Sequence, residues 1–237
     1  MWNNCTKQES YKIFFSNELL FLGHILLVIT AIIFALRLGK ETLISTFCLL
    51  IITANLFVIK QIDFFGFTIT CTEAMTIGCI LSLNLVQEYW GRDLAKKAIR
   101  CSFFLLTLFA LLGQFHLLYR PSPHDIHHSA YAQILQHSPR ILVTSLVVSF
   151  STLRFDMAFY GWMKKRWDKK LLVFRNLISL SVSQLLDTVL FSILALKGIV
   201  HSIIPIMIVS YLVKMLVAAS MTPFIVLAKR IRKPHVV

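Results

Sequence analysis

Five ionisable side chains sit where a chain seldom puts them. Glu73, Asp156, Asp187 and Lys214 lie inside long apolar stretches, and Glu88 lies at the end of one. An ionisable residue at the centre of a membrane span costs about 2.5–3.5 kcal/mol on insertion scales, so each calls for a reason. Three kinds of chemistry are open to such a set: an ion pair that fixes helix packing, a polar cavity that binds a small molecule, or an acid–base pair. Spacing sorts the residues further. Glu73 and Asn84 are eleven positions apart, which returns to nearly the same helical face, and Glu88 follows Asn84 by four. Ser145, Ser149, Thr152 and Asp156 stand at offsets 0, 4, 7 and 11 and form one polar stripe. Arg154 points away from that stripe and can snorkel to the inner surface. Ser183, Gln184, Asp187 and Thr188 fall within one turn's reach of each other, and Ser210, Tyr211 and Lys214 follow on the next apolar stretch. Asp187 and Lys214 have opposite charge at similar depth, which invites pairing. Glu88 opens Glu88-Tyr89-Trp90-Gly91 just before a basic loop, a pattern that also suits an interfacial carboxylate with aromatic anchors.

The elements that position these groups are membrane spans. Residues of types AVILMFWYC make up 57% of the 237 positions and charged residues only 15%. The mean hydropathy is +0.74. A soluble fold of this size could not hide so much apolar surface. A span needs about 20 apolar residues, and seven stretches qualify: 19–38, 43–59, 67–87, 99–119, 141–163, 177–196 and 199–228. The first is not a convincing signal peptide, because its apolar core is too long and no small-residue cleavage site follows. The fold class is therefore all-α integral membrane protein with seven spans.

Composition and motifs exclude several functions. A net charge of +13 would suggest nucleic acid in a soluble chain. Here the cations read as topology signals, and no nucleic-acid partner is expected. If the spans alternate, sixteen Lys and Arg fall on one side, six on the other, and Arg154 and Lys214 inside helices. That skew puts the C-terminus in the cytoplasm and the N-terminus outside. Cys5, Cys48, Cys71, Cys79 and Cys101 form no C-x-x-C pair and read as small hydrophobes. His124, Asp125, His127, His128 and His137 cluster in an outer loop, but their spacing fits no standard metal site, and an interfacial amphipathic segment accounts for them equally well. Signatures of a P-loop, a zinc protease or a serine hydrolase are absent, so no cofactor, metal or enzyme activity is expected.

Several short motifs, in order, resemble the queuosine precursor transporter family (the VUT or YhhQ-type family). They are Ala54-Asn55-Leu56-Phe57-Val58-Ile59-Lys60, Phe65-Gly66, and Asn84-Leu85-Val86-Gln87-Glu88-Tyr89-Trp90-Gly91. Arg140, Asp156, Ser183-Gln184-Leu185-Leu186-Asp187-Thr188, Ser210-Tyr211-Leu212-Val213-Lys214 and Thr222-Pro223 continue the series. The resemblance implies a six-helix core, residues 42–228, similar to the substrate-binding subunits (S-components) of energy-coupling-factor vitamin transporters. Residues 1–41 would then hold one additional N-terminal helix, and 229–237 a basic cytoplasmic tail. It implies import of 7-deazaguanine bases across the inner membrane: 7-cyano-7-deazaguanine, 7-aminomethyl-7-deazaguanine or queuine, for tRNA modification. A homodimer and separate energising subunits, not encoded here, are both compatible with it. Many members carry Gln a few residues before the Asp of the fifth helix, where this chain has Thr152 and Leu153.

The residues suit such a substrate. A deazaguanine is flat, with a donor edge at N1–H and the exocyclic amine, and a carboxylate accepts from both donors at once. Asp187 is the expected reader of that edge. Asn84 or Gln184 can satisfy the other edges, Tyr211 can stack on the ring, and Lys214 can neutralise Asp187 when the site is empty. The candidate substrate contacts are Asn55, Glu73, Asn84, Glu88, Asp156, Gln184, Asp187, Thr188, Tyr211 and Lys214. Two rivals stand beside this reading: a vitamin-binding subunit for another small molecule, and an integral-membrane enzyme using Asp156, Asp187 and Lys214 as acid and base.

Overall fold

The computed structural model describes residues 17–58, 60–65, 67–70, 72–135, 139–167, 172–196 and 203–231. Cys5, Ile59, Gly66, Cys71 and His137, all named above, lie outside these residues. Eight α-helices make up the described chain: α1 (Asn17–Leu38), α2 (Lys40–Phe57), α3 (Glu73–Trp90), α4 (Arg92–Leu118), α5 (His128–Leu135), α6 (Pro139–Arg166), α7 (Leu172–Phe191) and α8 (Ile203–Ile231). A π-helical turn, Ser192–Leu196, extends α7.

One expected span is corrected. The stretch 67–87 is not a continuous helix, because 67–70 forms β2 (Phe67–Thr70), which pairs antiparallel with β1 (Gln61–Phe64). Both strands are rich in β-branched and aromatic residues, and Phe65, at φ 48, takes the left-handed conformation that reverses the chain between them. The small hairpin is the one departure from an all-α fold among the described residues. Its tip is tied to the start of α1: Asn17 Nδ2 donates to the Asp63 carbonyl at 2.9 Å, and the Phe65 N–H donates to Glu18 Oε1 at 3.1 Å. The Phe21 and Phe64 rings meet edge-on below these bonds.

The core is apolar and shared. Phe21, Ile25, Val28, Ile29 and Ile32 of α1 are buried in the same cluster as Leu43 and Phe47 of α2, Ile77 and Leu83 of α3, and Val217 and Met221 of α8. Leu22, Leu27, Phe104, Leu112, Leu212 and Leu216 point outward, as side chains facing lipid do. Gly91 ends α3 and starts α4 at φ +92, a conformation that favours glycine and allows the tight reversal. In the loop between α4 and α5, Asp125 Oδ1 accepts the backbone N–H of His127 at 2.9 Å and of His128 at 3.2 Å, so this carboxylate caps α5. Among the described residues no three His, Cys, Asp or Glu side chains gather as metal ligands would.

By length and composition four helices can cross a membrane: α1, α2, α4 and α7 with its π-helical extension to Leu194. Met207–Met221 within α8 is a shorter apolar helix. The chain is a multi-span, helical membrane protein. α3 and α6 carry the polar groups that α7 meets.

Candidate functional site

α7 presents a polar stripe to α3 and α6. Arg175, Asn176, Ser179, Ser183, Gln184 and Thr188 are all buried on it. Three clusters are strung along this stripe from its first turn to its last.

The first cluster joins three helices around Glu88. The fully buried Arg175 of α7 donates from Nη2 to Glu88 Oε1 at 3.2 Å and Oε2 at 3.4 Å. Tyr160 of α6 donates its hydroxyl to Oε2 at 3.1 Å, and its ring lies under the Arg175 guanidinium at 5.8 Å. Lys164 Nζ lies 3.5 Å from Oε2 and donates to the backbone carbonyls of Glu88 at 3.0 Å and Gln87 at 3.3 Å, where a cation complements the end of α3. Glu88 is thus buried and engaged by three side chains. Arg175 is one of the sixteen cations that the alternating-span count assigns to a loop. It belongs instead to α7, which starts five residues earlier than its apolar run, and it turns inward. The continuation of α7's polar face through Asn176 and Arg175 was the signal for it.

The second cluster is the least satisfied. Asn84 Nδ2 donates to Asn176 Oδ1 at 2.9 Å, and Gln87 Nε2 donates to the Met157 carbonyl at 3.1 Å. Gly161, one turn along α6, allows this approach, since a Cβ there would come within 2.7 Å of Gln87 Nε2. Asp156 Oδ1 accepts from Ser179 Oγ at 2.5 Å and Ser183 Oγ at 2.7 Å. Asn84 Oδ1, Gln87 Oε1, Thr152 Oγ1, Asp156 Oδ2, Asn176 Nδ2 and both amide atoms of Gln184 have no hydrogen-bond partner among the described residues. Leaving buried polar atoms unpaired costs about 1–3 kcal/mol each, and natural cores seldom tolerate it without cause. These atoms gather unpaired donors and acceptors on α3, α6 and α7.

The third cluster holds the expected ion pair. Lys214 Nζ of α8 donates to Asp187 Oδ2 at 2.8 Å and Thr188 Oγ1 at 3.3 Å, and lies 4.0 Å from Glu73 Oε2. Four candidate residues thus meet here.

Other candidates fall elsewhere. Asn55 Oδ1 accepts from Ser145 Oγ at 2.5 Å and ties α2 to the N-terminal half of α6. The Tyr211 hydroxyl donates to the Ser181 carbonyl at 3.4 Å, which places its ring between α7 and α8. Arg154 faces outward, stacked over Phe150 at 5.3 Å, consistent with its position off the polar stripe.

Residues 74–228, well over half the chain, match the family described as "Putative vitamin uptake transporter". The chain belongs to this family. All three clusters lie within the matched residues except Glu73, which immediately precedes them. Membership of the vitamin uptake family makes the chain a membrane transporter and not an enzyme. It is also 29% identical over 219 residues to a Bacillus subtilis (strain 168) protein described as "Probable queuosine precursor transporter", covering 91% of this chain and 96% of that one. No solved structure matches the chain.

Proposed function

We propose that the protein imports a queuosine precursor, a 7-deazaguanine base such as 7-cyano-7-deazaguanine, 7-aminomethyl-7-deazaguanine or queuine, across the inner membrane. What supports this reading most is the set of unpartnered polar atoms on α3, α6 and α7. They lie inside a chain whose likeness to a protein so described extends nearly end to end. Asp187 takes the donor edge of the base, Gln184 and Asn84 the remaining edges, and Tyr211 a ring face. Lys214 holds Asp187 between turnovers. The closed interior is the state between loading and release, and separation of α7 from α3 and α6 opens it. Expression in a host lacking both synthesis and uptake of the precursors should restore queuosine in tRNA when one of the three bases is supplied. Protein present in the membrane with no rescue by any of them would refute the assignment.

The same reading gives seven spans, with α1, α2, α3, α4, α6, α7 and α8 crossing and α5 lying at the outer surface. A six-helix unit similar to vitamin-transporter S-components then follows α1, with the N-terminus outside and the C-terminus cytoplasmic. The sixteen-to-six division of Lys and Arg motivates this orientation. A reporter that works only in the cytoplasm, fused after Val237, should be active. An inactive reporter on a protein that still transports would reverse the topology.

A further inference from the structure

Asp156 differs from every other acid in the interior. Its side chain is completely buried, and it forms no ion pair among the described residues. Glu88 has Arg175, and Asp187 has Lys214 with Glu73 nearby. Among the described side chains, the titratable groups on elements packed against α6 are Glu73, Cys79, Glu88 and Tyr89 of α3, Arg92, Asp93, Lys96, Lys97, Arg100, Cys101 and His116 of α4, and Arg175 and Asp187 of α7, with Arg154, Tyr160, Lys164, Lys165 and Arg166 on α6 itself. None of them bonds to the Asp156 carboxyl. Ionised and without a counter-charge, a carboxylate here would cost several kcal/mol. Two hydroxyls donating to Oδ1 offset part of that cost, but Oδ2 receives no donor. With no counter-charge bonded to it and no donor on Oδ2, the buried carboxyl is held more cheaply as a neutral acid than as an anion.

We propose that Asp156 is the proton-carrying site of a proton-coupled transporter. The proposal rests on the transport function above and adds its energy source. In the closed bundle Ser179 and Ser183 of α7 hold the neutral acid. When α7 parts from α6 to admit or release substrate, Asp156 loses both hydroxyl donors and meets water, where a carboxyl ionises at neutral pH. Closure on substrate therefore takes up one proton from the outer side, and opening inward releases it to the cytoplasm. Proton and base move together in one direction, so a proton gradient concentrates the base.

The test uses purified protein in liposomes with labelled 7-cyano-7-deazaguanine, 7-aminomethyl-7-deazaguanine and queuine in turn, and a trapped pH dye. In wild-type vesicles addition of the transported base should acidify the lumen. A gradient of one pH unit should concentrate the base about tenfold for one proton per base. Counterflow of labelled against unlabelled base, which needs no gradient, is measured in parallel. Counterflow without acidification, or accumulation that follows sodium and ignores pH, overturns the coupling and leaves the transporter standing. Absence of counterflow with all three bases overturns the transport reading and the coupling with it. Infrared spectra give a readout that needs no substrate. The carbonyl stretch of a neutral carboxylic acid should be present at neutral pH in wild type, lost in Asp156→Asn and shifted in Ser183→Ala. A spectrum unchanged by both substitutions overturns the proposal.

Discussion

Arg175→Met is expected to remove a large share of the protein's stability, although Arg175 lies outside the motifs that carry the family resemblance. The substitution leaves Glu88 buried with only Tyr160 and a half-exposed Lys164 beside it. Breaking one side of a buried ion pair costs about 3–5 kcal/mol, against a total stability of about 5–15 kcal/mol for a typical domain. Glu88→Gln in the same chain should recover most of the loss, since the amide still accepts from Tyr160 and strands no charge. Arg175→Lys should recover little, because an ammonium cannot reproduce the two-oxygen contact. Thermal unfolding in detergent, followed by the fraction remaining monodisperse, reads all three variants. Equal stability of Arg175→Met and wild type would show that the cluster does not hold the bundle together.

Lys214→Met should be more damaging than Asp187→Asn. Loss of the lysine leaves the buried Glu73 and the partly buried Asp187 without their shared cation, at a cost of up to about 3–5 kcal/mol. Loss of the Asp187 charge leaves Lys214 beside Glu73. Asp187→Asn should therefore fold, yet lose roughly tenfold to a hundredfold in affinity for the base, about 1–3 kcal/mol, because an amide NH₂ meets the donor edge. The double variant should regain stability without regaining uptake. Stability and uptake are scored separately on the same preparations. Normal transport by the double variant would leave Asp187 and Lys214 as a structural pair and nothing more.

Much of this architecture was legible in the residues, for physical reasons that also set its limits. Bilayer thickness forces long apolar runs, so most helices stand out in the sequence. The run through 67–87 misled because Phe67 and Ile69 raise apolarity in a strand as readily as in a helix, and periodicity over four residues separates the two poorly. The facing of Asp187 and Lys214 followed from charge and depth alone. Arg175 did not, because a cation next to a basic loop has the same sequence signature whether it turns to water or into the bundle. The Asp156 stripe was visible as a period of 3.6. That Ser179 and Ser183 would both donate to one oxygen and leave the other bare depends on how α7 is rotated against α6, and no spacing within α6 encodes it.

α3 and α6 carry most of the interior polar groups, and on the seven-span reading both enter lipid with those groups on one face. Each follows an apolar helix it packs against, α3 after α2 and α6 after α4. Synthesised first, α2 and α4 are available to cover those faces as the polar helices emerge. Asp156 gains its two serine donors, and Glu88 its guanidinium, only with α7. The last third of the chain therefore completes the surroundings of its middle.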